Sequence, residues 1–213
     1  MEKLVEGIHH FVSHGFDQQR DLFNKLAKSQ HPQACFITCS DSRIDPNLIT
    51  TTDPGDLFVV RNVGNIVPPI GTSSNAEASA VEYAIMALGV KDIIVCGHTG
   101  CGAMKGLLNP ASLKELPLTR SWLKYAGATQ QIIRENYSHL SGDDLVTAAA
   151  EENVLVQLEH LHTLPVVAAR LGRGAIRLHA WLFNISSGGM FAYDSNEREY
   201  LPLSGRSEQT VVG

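Results

Sequence analysis

The sequence predicts an α/β fold: a mainly parallel central β-sheet flanked by helices and preceded by an N-terminal helical arm. Three observations carry this. Short, unbroken apolar runs at residues 34–38, 57–60 and 93–95 suit strands covered on both faces, as parallel strands are. Between the second and third runs, Ser73 to Leu88 has helical spacing, long enough to connect two parallel strands by a right-handed crossover. The first and third runs both end in clusters of thiol, imidazole, carboxylate and guanidinium groups. The C-terminal edge of such a sheet is where ligands bind.

Taken in order, residues 2–28 place apolar side chains at Leu4, Ile8, Phe11 and Val12, then at Leu22, Phe23 and Leu26. That is helical spacing in two segments, broken near Gly15. This arm, residues 1–30, is expected to pack on a partner subunit or on its own core. Residues 34–39 form the first strand, Asp53-Pro54-Gly55-Asp56 a turn, and residues 57–60 a second buried strand. Arg61-Asn62-Val63-Gly64-Asn65 leads into a loop through Pro68, Pro69 and Gly71. The helix from Ser73 offers Ala76, Ala80, Val81, Ala84, Ile85 and Leu88 for close packing. It stops at Gly89, and residues 91–96 are the third strand. Residues 117–137 and 142–162 read as two more helices, the second opened by Ser141-x-x-Asp144 with capping-box spacing. Residues 165–171 add a short helix and 175–185 an alternating strand. Ser186 to Gly189 turns that strand into Met190–Asp194, a hairpin. A polar tail, residues 204–213, is expected to be loose. With no repeat and no linker, residues 1–213 are read as a single domain.

Composition narrows the function. A 213-residue chain with 44% apolar and 18% charged residues is ordinary for a globular protein that builds its own core. A net charge of −5 argues against a general nucleic-acid surface. No run approaches the ~18 apolar residues of a membrane span, and the N-terminus lacks the layout of a secretory signal. Four cysteines in such a chain point to metal binding or burial, not to a disulfide framework. The expected compartment is reducing, hence cytoplasmic.

The chemistry gathers in Cys39-Ser-Asp41-Ser-Arg43 and His98-Thr-Gly-Cys101. Cys39, His98 and Cys101 make a three-ligand zinc set that leaves one tetrahedral position open. The spacing His98-x-x-Cys101 lets both side chains of one turn reach a single ion, whereas Cys35 and Cys96, inside apolar runs, read as core thiols. Asp41 has two readings. It is the fourth ligand of a closed site, or Arg43 holds its carboxylate away through a charge-assisted bond and water takes the fourth position. In the second arrangement the metal generates a nucleophile, Asp41 orients it and Arg43 holds Asp41. Two thiolates offset much of the zinc charge, so such water is less acidified than on a three-histidine zinc, where its pKa is about 7.

The Cys-x-Asp-x-Arg and His-x-x-Cys motifs, with Phe58-Val-Val-Arg-Asn62 between them, resemble the β-class carbonic anhydrases over nearly the whole chain. The resemblance implies zinc, one per chain, on Cys39, His98 and Cys101, with Asp41 and Arg43 as the catalytic dyad. It implies reversible hydration of carbon dioxide to bicarbonate and a proton by a zinc-bound hydroxide. Gln30, Phe58 and Tyr83 match the glutamine, phenylalanine and tyrosine that the plant-like, open-site subset places around its substrate. Gln30 would donate to a substrate oxygen, Phe58 form a dry wall, and Tyr83 bond Gln30 or add polarity at the pocket edge. The Gly102 N–H would bind a substrate oxygen. Phe36 stands where a second subset carries a tryptophan in an inhibitory bicarbonate pocket, so Arg61 is expected to be structural here.

The resemblance also implies a homo-oligomer, a dimer or a dimer of dimers, with the arm reaching over the partner and the pocket near the interface. The wording Gly55-Asp-Leu-Phe-Val-Val-Arg-Asn62 and Gly102-Ala-Met-Lys-Gly-Leu-Leu108 is similar to cyanobacterial carboxysomal enzymes, whose C-terminal extensions contact carboxysome components. The sequence ends at Gly213, and the expected address is the cytoplasm, with the carboxysome as the alternative. Two other functions share the motif: a hydrolase for carbonyl sulfide or carbon disulfide on the same scaffold, and a non-catalytic zinc-stabilised assembly module.

Overall fold

A computed structural model describes residues 1–71 and 76–203. Contacts divide the chain into two compact units, Met1–His31 and Pro32–Gly213. The first holds α1 (Glu2–His10), a π-helical turn over Phe11–Gly15, α2 (Phe16–Gln18) and α3 (Arg20–Leu26). Helical backbone runs on through Gly15, and the break expected there falls at Gln19, with φ −115° and ψ 15°. The reason is packing. A Cβ on Gly15 would lie 3.0 Å from the Phe11 ring, so the missing side chain gives that ring room to join Phe16 and Phe23 in an aromatic cluster. None of these helices buries a residue, and Leu4, Ile8, Phe11 and Val12 are exposed.

The second unit is built on a six-stranded sheet in the order β2-β1-β3-β4-β5-β6. Strands β1 (Ala34–Cys39), β2 (Leu57–Asn62), β3 (Asp92–His98) and β4 (Arg177–Phe183) are parallel. Strands β5 (Met190–Asp194) and β6 (Glu199–Pro202) extend the sheet antiparallel. Every residue of β1 is buried, as its unbroken apolar run requires. β2 departs from expectation: it is the edge strand, covered only in part, with Val59 exposed, because a partner strand lies on one side only. β3 runs two residues further than predicted and takes in His98.

Between the strands lie α4 (Pro46–Thr50), α5 (Ala76–Met86), α6 (Gly102–Leu108), α7 (Pro117–Trp122), α8 (Gly127–Asn136), α9 (Gly142–His162) and α10 (Pro165–Leu171). The helix expected from Ser73 is seen from Ala76; residues 72–75 and the tail 204–213 lie outside the described residues. The helix expected over 117–137 is two helices joined by a 3-10 turn, Leu123–Ala126. The capping box at Ser141 does not form, since Gly142 takes φ +59° and turns the chain out of helical geometry as it enters α9. Helix α9 packs directly on β3 and β4. A Cβ on Gly97 would stand 2.8 Å from Val154 Cγ2, so glycine is what lets helix and strand approach beside His98. One core cluster joins β1, β3 and β4 to α5, α9 and α10; a second surrounds Cys39 and Cys101 with residues of α6, α8 and α9. Among the described residues no helix is long and apolar enough to cross a membrane.

Candidate metal centre

The sheet order explains why the two motifs meet. From β1 the chain goes to one neighbour, β2, and later returns on the other side as β3. The crevice at the carboxyl ends of strands where direction switches is the ligand site of open sheets. Cys39 ends β1 and His98 ends the adjacent parallel β3. Cys101 follows through a turn at Gly100, whose φ of +66° is strained for an L side chain, and stands at the N-cap of α6.

The two sulfurs and a ring nitrogen of His98 lie within 4.8 Å of one another, and all three residues are buried. Small side-chain shifts bring such a set onto one ion with bonds of about 2.0–2.3 Å. His98 supplies the fit test. Its Nδ1 faces the Thr99 carbonyl at 3.0 Å, an atom that only accepts, so Nδ1 carries the proton and Nε2 a lone pair. Nε2 is buried with no hydrogen-bond partner among the described residues. Such an orphan costs about 1–3 kcal/mol, and a metal ion would use it. A hydrogen bond from Cys101 holds the Cys39 thiol below its ordinary range against the cost of burial, helped by the Gly64 and Asp41 amides. The same bond, and then burial, raises Cys101. Thiolates and a neutral imidazole are a zinc donor set.

Asp41 sits beside this set, its Oδ2 at 3.9 Å from His98 Nε2. Arg43 grips it with a fork: Nε donates to Oδ1 at 2.9 Å and Nη2 to Oδ2 at 2.8 Å. The Arg43 amide also donates to Oδ1, and Nη2 reaches the Gly100 carbonyl. These bonds hold the Asp41 carboxyl well below the usual carboxylate range. Arg61 has the structural place expected of it, donating to the Cys39 carbonyl at 3.1 Å and the Asp41 carbonyl at 2.8 Å. It thereby fixes the backbone between first thiol and carboxylate. Cys35 and Cys96 are the core thiols expected, each pushed up to about 12 by burial.

A cleft of about 330 Å³ opens over the site, lined by Cys39, Asp41 and Gly102 together with Val63, Leu113 and Leu123. Phe58 and Tyr83 pair with each other, ring centroids 6.1 Å apart, and line no part of this chain's own cleft. Phe58 is level with Cys35 in the sheet, four residues and thus about 13 Å behind the level of Cys39. Gln30 lies in the first unit, exposed, past α3. Two buried residues near the site were not singled out from sequence, Asn153 and Gln157. Their one signal is spacing: with His160 they repeat at i, i+4 and i+7 along one face of α9.

The comparisons with known proteins name the class. Residues 34–190 match the family described as carbonic anhydrase, and the chain belongs to it. Its relatives narrow this to the β-class of that enzyme. The carbonic anhydrase of Synechocystis sp. is 49% identical over 97% of this chain and 76% of its own length. The β-carbonic anhydrase CcaA superposes with a TM-score of 0.94 at 48% identity, covering 99% of this chain and 94% of its own. A structure from work on two tetrameric β-carbonic anhydrases of Sordaria macrospora superposes with a TM-score of 0.81 at 27% identity, covering 90% and 95%.

Proposed function

We propose that the chain interconverts carbon dioxide and water with bicarbonate and a proton at one zinc per chain, held by Cys39, His98 and Cys101. The observation that carries this is the buried, unpartnered Nε2 of His98 facing two thiols beside a carboxylate whose oxygens are both taken by Arg43. Bound zinc supplies the Lewis acidity that draws a nucleophile from water near neutral pH. Asp41 accepts a hydrogen bond from the attacking oxygen and fixes its direction, while Arg43 keeps Asp41 from swinging onto the metal. The Gly102 N–H is offered to a substrate oxygen. The mostly apolar lining suits a small neutral gas and sheds water around it. The proton passes to solvent or buffer.

Phe58 and Tyr83, outside this chain's own cleft, are assigned to a partner's cleft in a dimer, and Gln30 keeps its assignment as a donor to substrate oxygen. The arm's exposed apolar stripe supports the dimer as minimal unit. The cytoplasm is the proposed compartment, consistent with four cysteines that are all free thiols. The test is stopped-flow hydration of carbon dioxide at about pH 8.5, with zinc measured on the same sample. Fast hydration at one zinc per chain is expected. Zinc without hydration would overturn the reading and turn attention to carbonyl sulfide.

A further inference from the structure

Helix α9 is apolar where it meets the sheet, yet Asn153, Gln157 and His160 stand a turn apart on it, the first two completely buried. Buried amides cost about 1–3 kcal/mol for each group left unpaired, so their partners matter. All three reach one segment, the loop that follows β2. Asn153 Nδ2 donates to the Gly64 carbonyl at 2.9 Å, and Gln157 Oε1 accepts from the Val67 amide at 2.9 Å. Gln157 Nε2 donates to Asn153 Oδ1 at 3.0 Å, and the Thr129 hydroxyl adds a bond to the same oxygen, so the Asn153 amide is fixed in orientation. His160 Nδ1–H donates to the Val67 carbonyl at 2.8 Å.

The loop needs holding. Gly64 and Asn65 are both left-handed, φ +84° and +48°, and a non-glycine residue in that region costs on the order of 1–3 kcal/mol unless its surroundings impose it. Gly64 has no room for a side chain, as a Cβ would lie 3.0 Å from Ala103 Cβ. Its amide N–H is directed at the Cys39 sulfur, at 3.4 Å. Gly64 is therefore gripped from two sides, Asn153 on its carbonyl and Cys39 on its amide.

We infer that Asn153, braced by Gln157, is a positioning residue for the metal centre: it sets Gly64 so that its N–H stays on the Cys39 sulfur. That bond stabilises the thiolate charge and aims its remaining lone pairs, preorganising the ligand, as groups behind metal ligands do. This rests on Cys39, His98 and Cys101 being the zinc ligands.

The test uses the full chain. Asn153→Asp keeps the size and the acceptor for Gln157 and Thr129, but replaces the donor to Gly64 with an oxygen. Zinc retention is read by competition with a chromophoric chelator, and the thiolates by the sulfur-to-metal charge-transfer band of the cobalt(II)-substituted protein. Tyr137→Phe is the control, since it breaks a 2.6 Å bond to Glu152 on the same helix without touching the loop. The Asn153 variant should hold zinc about 10–100-fold more weakly and shift the cobalt band, the control neither. Wild-type retention and an unshifted band in Asn153→Asp would overturn the inference. So would equal weakening in the control at the same loss of thermal stability. Should Asn153→Asp not fold, Gln157→Glu keeps the acceptor for Val67 but removes the Gln157 amide donor that braces Asn153 Oδ1, leaving Thr129 alone on that oxygen; unchanged zinc retention there is equally fatal. A wild-type chain that binds no zinc would instead sink the metal reading itself.

Discussion

Arg43 does more for Asp41 than neutralise it. By occupying both carboxylate oxygens from a half-exposed position, it leaves Asp41 able to accept a hydrogen bond and, in the proposed mechanism, keeps it from turning onto the metal. Asp41→Ala should therefore lower turnover about 10²-fold or more while zinc stays bound, by analogy with the loss of a single preorganised polar group. A near-normal rate, measured on protein with one zinc per chain, would remove Asp41 from the mechanism. The pH dependence follows with its sign. Because the folded carboxyl lies below its ordinary value of about 3.9, the pair's contribution is complete above that pH and is lost only as pH falls well below it. Asp41 is then ionised throughout the working range. Hydration should nonetheless rise between about pH 6.5 and about 9, as water at the metal ionises. A flat profile would contradict that nucleophile.

Elements were legible where one signal dominated. β1 and α9 agree with the sequence to the residue, because an unbroken apolar run and a long helical period have few rivals. α6 was missed because two glycines in seven residues mask its helical character, and β6 because four residues ending in Pro202 look like a turn. β2 was recognised as a strand, but its edge position depends on sheet order, which no local pattern encodes. The contact of α9 with β3 makes the sharpest element-level prediction. In Gly97→Ala the added Cβ would meet Val154 Cγ2 at 2.8 Å and the Ala150 carbonyl at 3.3 Å, forcing helix and strand apart beside His98. A loss of about 1–3 kcal/mol is expected in urea unfolding. Pairing it with Val154→Ala, which removes the nearer obstacle, should recover part of that loss.

At the scale of the molecule, the clustering of Cys39, His98 and Cys101 was legible because zinc demands particular donors, and those residues stand at two strand ends. The groups behind them were not: Asn153 and Gln157 are polar residues in a helix until the fold lays them against Gly64 and Val67. Phe58 and Tyr83 pose the converse problem, since the sequence marks them and this chain's own cleft does not use them. The proposed dimer would resolve it, with the arm as its surface. Leu4, Ile8 and Val12, each at least 60% exposed, repeat every four residues along one stripe of a unit that buries none of its helical residues. Contiguous apolar surface of this kind marks an association site. Ile8→Glu combined with Val12→Glu should shift the protein toward monomer in sedimentation velocity while leaving zinc at one per chain. Should Phe58 and Tyr83 serve the partner, hydration will fall with the monomer fraction, at least about 10-fold when dissociation is complete. A monomeric variant with full turnover would show instead that each cleft is sufficient on its own, and that the aromatic pair only packs α5 against β2.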